Sequence, residues 1–303
     1  MRYNLRFDFV KLSRYFFGFS ILITVLGIAT LLFHGLNYGV DFRAGSSVDF
    51  NVSKNLQAQT AEIKSFMDTQ AEGHNVVTVG QDRVTVRFDR ILSKDEENAV
   101  KTGFAEQFDP QASAEVNTVD PEMARELQAN ALKAIAIASI GIIIYVSIRF
   151  EWRFAIAAIV SLLHDAFIVI SLFSIFEWEV DLPFIVAILT IIGYSINDTI
   201  VIFDRIRENL RFAKIKSYAD LQKLVNESIW ETMTRSINTV ATVFFAALCL
   251  YIFGSESIKL FSLAMLLGLV SGAYSSIFIA SPLWLLLKKN QKLKPAAKAP
   301  AAT

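Results

Sequence analysis

The sequence predicts a polytopic α-helical membrane protein with six transmembrane helices and one α+β domain inserted after the first helix. Two observations predict this fold class. The 303 residues are 53% hydrophobic and only 19% charged, whereas about a quarter of the residues of a soluble domain are charged. Six almost uncharged runs are each long enough, at about twenty residues, to cross a hydrocarbon core as a helix. The composition argues against an ordinary soluble enzyme.

The six predicted transmembrane helices cover residues 15–34, 127–148, 154–176, 182–203, 236–255 and 260–287. Basic residues are concentrated on one side of them. The N-terminus 1–14, the loop 149–153, the predicted cytoplasmic loop 204–235 and the tail 288–303 together hold eighteen Lys and Arg. The short opposite loops hold only Lys259. By the positive-inside rule, we expect both termini to face the cytoplasm.

Residues 35–126 form an insert that this topology places outside the cytoplasm, and it carries nine basic against sixteen acidic residues. Alternating and helical apolar patterns follow one another in the order β-α-β-β-α-β. This order is that of the ferredoxin-like split motif. The sequence therefore predicts a ferredoxin-like extracytoplasmic domain, followed by a helix that begins at Asp120-Pro121 and runs into the second span.

The tail 288–303 has five lysines among alanines and prolines. It lacks the apolar residues needed to fold, so it is predicted to be a disordered basic cytoplasmic tail that contacts anionic membrane lipid.

Several classes of function are not supported by the sequence. The formal net charge is zero, so the composition gives no sign of nucleic-acid binding. Cys249 is the only cysteine, which excludes an internal disulfide, and the three histidines lack metal-ligand spacing. His164 and Asp165 are neighbours on a helix and are expected to point in different directions. With no nucleophile elbow and no phosphate loop, we expect no enzyme activity, no metal and no cofactor.

Ionisable side chains inside predicted spans are costly, so each is a functional hypothesis. Asp165 lies near the middle of the third span, Asp198 lies towards the cytoplasmic side of the fourth, and Arg235 lies at the cytoplasmic edge of the fifth. Three polar residues flank Asp198: Ser195, Asn197 and Thr199. Such a cluster can hold water and pass on a proton. The alternative for each residue is a structural ion pair or a charge that reaches the interface.

The sixth predicted span contains Gly268-x-x-x-Gly272, with Ser271 and Ser275 beside it. Small residues at this spacing allow two helices to approach closely. The motif predicts packing against another helix but does not identify that helix.

Several strings resemble the SecF-like members of the bacterial SecD–SecF protein-export family. They are Gly39–Gly45 (GVDFRAG) after the first span, Leu163–Asp165 in the third, Gly193–Val201 (GYSINDTIV) in the fourth with the following Phe203–Asn209, and Thr234–Thr239 at the fifth. The resemblance runs from about residue 10 to residue 287. One departure is Ala44-Gly45, where the family often has two glycines. The loop-motif residues carried over are Gly39, Asp41 and Gly45.

The resemblance implies a member of the resistance-nodulation-division superfamily that works in a bacterial cytoplasmic membrane with the partner SecD. It implies assistance to the SecY–SecE–SecG channel late in preprotein export, driven by the proton or sodium gradient. It also implies an ion relay at Asp198 and Arg235, with Asp165 as an accessory position.

Two other interpretations remain open on the sequence. One is half of a small-molecule exporter of the same superfamily, which the single insert of about 90 residues makes less favoured. The other is a structural scaffold without ion coupling, against which Asp198 argues.

Overall fold

The computed structural model describes residues 7–70, 74–80 and 83–289. In chain order its elements are α1 (Phe9–Phe33), β1 (Asn37–Tyr38), α2 (Val40–Arg43), β2 (Gly45–Asn51), α3 (Thr60–Gln70), β3 (His74–Val79), β4 (Arg83–Phe88), α4 (Lys94–Gln107), β5 (Ser113–Val119), α5 (Pro121–Arg149), α6 (Trp152–Ile175), β6 (Glu179–Val180), α7 (Leu182–Phe212), α8 (Tyr218–Phe253), α9 (Glu256–Ser275) and α10 (Ser281–Lys289). A single π turn at Ser276–Ala280 joins α9 to α10.

Within the described ranges, six helices are long and apolar enough to cross a membrane: α1, α5, α6, α7, α8 and the continuous α9–α10. These six helices indicate a multi-pass membrane protein. The third, fourth and sixth spans are the most buried within the bundle, whereas the first, second and fifth expose most of their apolar surface. The polar residues of the three central spans therefore lie in the interior of the bundle.

The insert has a hydrophobic core separate from that of the helix bundle. Its four strands pair in the order β3-β4-β2-β5, and every neighbouring pair is antiparallel. Val84, Val86 and Phe88 alternate with more exposed residues along β4, so one face of the sheet is buried. Helices α3 and α4 contribute to the same core, where Phe50 of β2 stacks on Phe104 of α4 with 3.9 Å between ring centroids.

Two short strands connect the root of the insert to the bundle. Strand β1, just after the first span, pairs in parallel with β6, which lies between the third and fourth spans. The insert and the loop 177–181 therefore lie at the same end of the bundle. At the opposite end, Arg149 pairs with Asp204 at 3.0 Å, and Lys288 lies 3.7 Å from Glu151.

The segment 204–235, expected as a cytoplasmic loop, is mostly helical. Helix α7 continues to Phe212 and α8 begins at Tyr218, so only residues 213–217 separate them. Ser217 caps α8, and Arg205 bonds Glu231 at 2.7 Å between the two extensions. A prediction from hydropathy ends a transmembrane helix where charged residues begin. The helix itself extends into water, because capping residues and ion pairs stabilise it there.

The expected termini fall partly outside the described residues. Of the predicted N-terminal segment 1–14, residues 1–6 lie outside them; Asp8 caps α1, which begins at Phe9, earlier than the predicted span. Of the predicted disordered tail 288–303, only Lys288 and Lys289 are described, and they end α10.

Candidate functional site

Asp198 lies on the buried face of α7, and its side chain is only 5% exposed. It borders a small cavity lined by residues of three helices: Tyr194 and Ser195 of α7, Thr239 and Val240 of α8, and Gly268, Leu269, Gly272 and Ala273 of α9. The hydroxyl of Ser236 on α8 faces the carboxylate without forming a hydrogen bond of standard geometry. Asp198 is therefore a buried acid beside a space with polar groups in its wall.

Arg235 precedes Ser236 on α8 and is close enough for its charge to act on Asp198. Among the described residues, however, no salt bridge joins the two side chains, and Arg235 is exposed. The structure therefore holds the two groups of the predicted relay near each other but unpaired.

Asp165 on α6 is fully buried and lies in the densest polar network of the bundle. Its Oδ2 accepts hydrogen bonds from Ser195 Oγ at 2.5 Å and Ser275 Oγ at 2.6 Å, and its Oδ1 accepts one from Ser271 Oγ at 2.8 Å. His164 Nδ1 lies 3.0 Å from Oδ1. Each carboxylate oxygen thus has two neighbours, which fills the acceptor capacity of an ionised carboxylate. The network joins three central helices: α6, α7 and α9.

The expectation that His164 and Asp165 point in different directions is wrong. Neighbouring Cβ atoms on a helix diverge by about 100°, but the imidazole and carboxylate are long enough to turn back towards each other. The other ring nitrogen, Nε2, lies 3.1 Å from the hydroxyl of Tyr274, which in turn lies 3.2 Å from Ser20 Oγ on α1. The polar network therefore reaches from the first span to the fourth.

The residues predicted to support the relay are placed differently from one another. Ser195 donates to Asp165 and also lines the cavity of Asp198, so it contacts both acidic sites. Thr199 is buried, and its Oγ1 lies 2.9 Å from Ser276 Oγ in the π turn. Asn197 is on the exposed face of α7 and is not brought to the site.

Sequence reasoning missed Ser20, Tyr274 and Ser161, whose hydroxyl donates to Ser275 Oγ at 3.0 Å, as well as Ser276 beside Thr199. It also did not assign Ser271 and Ser275 to Asp165. A hydroxyl-bearing residue in an apolar helix is too common to single out. The i, i+4 repeat of Ser271 and Ser275 was the available signal, because it puts two hydroxyls on one helix face.

The small-residue face of α9 packs against α7. A Cβ added to Gly268 would lie 2.3 Å from side-chain atoms of Ile191, and one added to Gly272 would lie 3.3 Å from Ser195 Cβ. The two glycines therefore allow α9 to pack closely against α7 beside Ser195, which donates to Asp165.

A second cavity, of about 270 Å³, lies between α8 and the sixth span. Its lining is apolar apart from Ser236. It is a groove open at the surface of the bundle, and it runs along α8 beside the Asp198 site.

The predicted loop motif lies at the end of α7 that faces the insert. The Gly39 amide donates to the carbonyl of Val180 at 2.8 Å, and Asp41 Oδ2 accepts from the amide of Leu182, the first residue of α7, at 3.0 Å. Asp181 caps the same helix through the amide of Phe184 at 2.8 Å. Burial, together with the nearby Asp41 carboxylate, raises the pKa of Asp181 to about 6.

Each glycine of the loop motif meets a different steric constraint. Gly39 has an extended backbone, but an added Cβ would lie 2.6 Å from Glu179 Oε1. Gly45 has φ +130°, and an added Cβ would lie 2.1 Å from the carbonyl oxygen of Phe88. Ala44, where the family often has glycine, has φ +64° and ψ 152°, a conformation that favours glycine.

In the described part of the chain, no group of three or more His, Cys, Asp and Glu side chains is arranged to hold a metal ion. The polar groups around Asp165 are hydroxyl oxygens and the imidazole of His164, whereas those around Asp198 are hydroxyl oxygens. A buried carboxylate such as Asp198 among hydroxyl oxygens can bind a proton or a hard monovalent cation.

Comparison with protein families matches residues 99–290 to the profile described as "Protein export membrane protein SecD/SecF, C-terminal". Residues 30–55 match the SecD/SecF GG motif, which includes the loop Gly39–Gly45.

Two curated relatives illustrate the similarity. The protein translocase subunit SecF of Alicyclobacillus acidocaldarius is 44% identical over 95% of this chain and 95% of its own length. The protein translocase subunit SecDF of Bacillus subtilis is 47% identical over 97% of this chain, which spans only 40% of that longer protein.

Among solved structures, the crystal structure of SecDF from Thermus thermophilus, a translocon-associated membrane protein, superposes with a TM-score of 0.85 at 31% identity. The match covers 94% of this chain and 39% of that one.

Proposed function

This chain belongs to the SecD/SecF family of protein export membrane proteins, and on that premise we propose that it is a subunit of the Sec protein-export machinery. Working with SecD, it uses the proton or sodium gradient to assist late translocation of preproteins across the cytoplasmic membrane. The observation that carries the proposal is Asp198, a buried carboxylate beside a small cavity whose lining includes the hydroxyl-bearing residues Ser195 and Thr239, in the interior of a membrane bundle. A buried acid of this kind is costly in a scaffold and useful in an ion pathway.

In this mechanism Asp198 is the group that gains and loses the coupling ion. When it is ionised, its charge attracts Arg235 on α8; when it is neutral, that attraction is lost. The arrangement without a salt bridge would be one state of this cycle, and a paired arrangement would be the other. Moving one charge through 100 mV supplies about 2.3 kcal/mol, enough to shift such an equilibrium almost fiftyfold. Asp165 takes an accessory part through Ser195, which contacts both sites.

The topology proposed for this cycle has both termini in the cytoplasm and a ferredoxin-like insert outside. Two facts support it. The insert lies at the same end of the bundle as the loop 177–181, which lacks Lys and Arg. The other end holds Arg149 and Lys288, together with the C-terminal part of α7 and the N-terminal part of α8. The positive-inside rule then places that second end in the cytoplasm. The β-α-β-β-α-β element order and the antiparallel strand order support the ferredoxin-like assignment.

SecD is the proposed main partner, and the SecY–SecE–SecG channel, the moving preprotein and membrane lipid are the others. The relatives named SecDF carry much additional chain beyond the match, which supports SecD as the partner of this part. Within the described bundle, α8 leaves Arg235 and much of its apolar surface exposed, which is consistent with a partner covering it.

The test is gradient-driven export in vesicles that contain matched amounts of SecD and this subunit. Asp198→Asn keeps the shape of the side chain but cannot ionise, so it should insert normally and lose the gradient-dependent part of export. Asp198→Glu keeps the charge and should retain part of the activity. The control is Asp204→Asn, which removes a partly exposed carboxylate from the same helix and should export at the wild-type rate. Wild-type export by Asp198→Asn would refute the relay, and gradient-driven efflux of a small molecule without SecD would favour the exporter alternative.

A further inference from the structure

Two arginines of β4 contact the loops between the transmembrane helices. Arg87 forms an ion pair with Glu179 of β6, immediately before the fourth span. Arg83 Nη1 lies 2.5 Å from Ser257 Oγ in the first turn of α9, at the start of the sixth span. The arginines are four residues apart on one strand, so they point to the same face of the sheet. The insert therefore rests on the helix bundle through the same strand at two points.

The Arg87–Glu179 ion pair is partly withdrawn from solvent, whereas the Arg83–Ser257 contact is exposed. The Arg87 and Glu179 side chains are 11% and 28% exposed, and that of Arg83 is 10% exposed. Ion pairs at exposed surfaces contribute little, but removing one partner of a poorly solvated pair leaves an uncompensated charge. The Arg87–Glu179 pair therefore has the burial needed to hold two parts of the molecule in a fixed relation.

The geometry around Gly39 directs Glu179 to this pair. Because an added Cβ at Gly39 would lie 2.6 Å from Glu179 Oε1, the carboxylate lies across the glycine. The neighbouring backbone bond from the Gly39 amide to Val180 and the bond from the Leu182 amide to Asp41 hold the same short segment. The segment that leads into α7 is therefore bonded to Gly39 and Asp41 at the start of the insert and to Arg87 of β4.

Helix α7 connects this junction to the buried acid. It runs without interruption from Leu182 to Phe212, and its one proline stands in the first turn, where it does not kink a helix. Asp198 is sixteen residues beyond Leu182, or about 24 Å along the axis. A tilt or shift of α7 at Asp198 therefore displaces Glu179 at the far end.

We propose that Arg87 and Glu179 form the coupling pair through which movement of α7 at Asp198 is passed to the insert. Arg83 and Ser257 provide the second support on the sixth span, which packs against α7 at Gly268. The two members of the pair are positioning residues: they carry no ion, and they convert a change at the buried site into a displacement of the domain that faces the exported chain. This inference rests on the function proposed above.

The experiment reverses the charges singly and together. Arg87→Glu and Glu179→Arg each put like charges in contact, and the double variant restores an opposite pair. Lys94→Glu is the matched control, because it makes the same charge change on the insert at an ion pair with Glu97 that does not touch the bundle. The native cysteine is first removed as Cys249→Ala, and spin labels are placed at the exposed positions Thr102 on α4 and Phe253 at the end of α8.

Two quantities are measured for each variant: the label-to-label distance without a gradient, and gradient-driven export in vesicles with SecD. We expect each single reversal to broaden the distance distribution and to lower gradient-driven export by about tenfold, the size of a typical coupling between sites. The double reversal should recover both quantities, and the control should change neither.

The coupling pair is refuted if either single reversal keeps the wild-type distance and export, or if the double reversal recovers neither. Failure of the proposed function itself would look different: wild-type export would then be insensitive to the gradient, while the distance measurement would still report whether the pair docks the insert.

Discussion

Replacing Asp181 by Asn is expected to stabilise the protein at neutral pH and to have little effect in acid. Asp181 caps α7 through the Phe184 amide, and the amide oxygen of Asn can accept the same bond. The substitution therefore removes a charge while preserving the cap. The substitution therefore tests how much burial and the neighbouring Asp41 carboxylate lower the free energy of unfolding when Asp181 is charged.

The magnitude follows from the pKa of Asp181, which burial raises from 3.8 to about 6. A shift of about two pKa units corresponds to about 3 kcal/mol, and partial access to solvent reduces this to about 1–2 kcal/mol. The native state holds its proton more tightly than the unfolded state. The stabilisation by protonated Asp181 is therefore full below pH 4 and is lost as the pH rises from about 4 to about 6.

The assay is thermal unfolding of the purified protein in detergent at pH values between 4 and 8. The difference in Tm between Asp181→Asn and wild type should be near zero at the acid end, grow through the pH range 4 to 6, and stay constant above it. Asp120→Asn, at the exposed cap position of α5 without a side-chain cap bond, is the control and should show no such pH dependence. A variant no more stable than wild type at pH 7.5 would refute the reasoning.

Two further predictions concern the loop motif. Gly39→Leu should leave the protein inserted and abundant but impair export, because the new side chain displaces Glu179 from Arg87; wild-type export in the vesicle assay would reduce the motif to an ordinary turn. Ala44→Gly should raise the free energy of unfolding by about 1 kcal/mol, since relief of about 1–3 kcal/mol of backbone strain outweighs the greater freedom of glycine in the unfolded chain. A lower Tm for Ala44→Gly than for wild type would contradict this account.

The six spans could be predicted from sequence because the cost of placing charge in hydrocarbon dominates every other preference there. The ends of the helices could not be predicted in this way. Capping and ion pairs stabilise the parts of α7 and α8 that extend into water, and hydropathy does not measure those interactions. The resemblance pointed to Gly39, but the steric reason for a glycine there is its close approach to Glu179, which lies 140 positions away and which only the structure shows.

The polar site was predictable only in part. Asp198 stands out because a single carboxylate in an apolar run has no ordinary explanation. The hydrogen-bond donors of Asp165 come from residues up to 110 positions away. The sequence around a serine in a membrane helix does not indicate which residue the serine will bond to. Asn197 neighbours Asp198 in sequence, but the helical turn of about 100° per residue carries it away from the buried side of α7 to an exposed position.

The fit of Ile191 against Gly268 also bears on which helix is free to shift. Sliding α7 along α9 would force the Ile191 side chain into the backbone of its neighbour, so these two helices are expected to travel as one rigid body. Helix α8 is flanked by the groove of about 270 Å³. Relative movement is therefore expected between α8 and the unit formed by α7, α9 and the insert, which contacts both helices' leading segments through Arg87 and Arg83, and this movement would change the distance between Arg235 and Asp198.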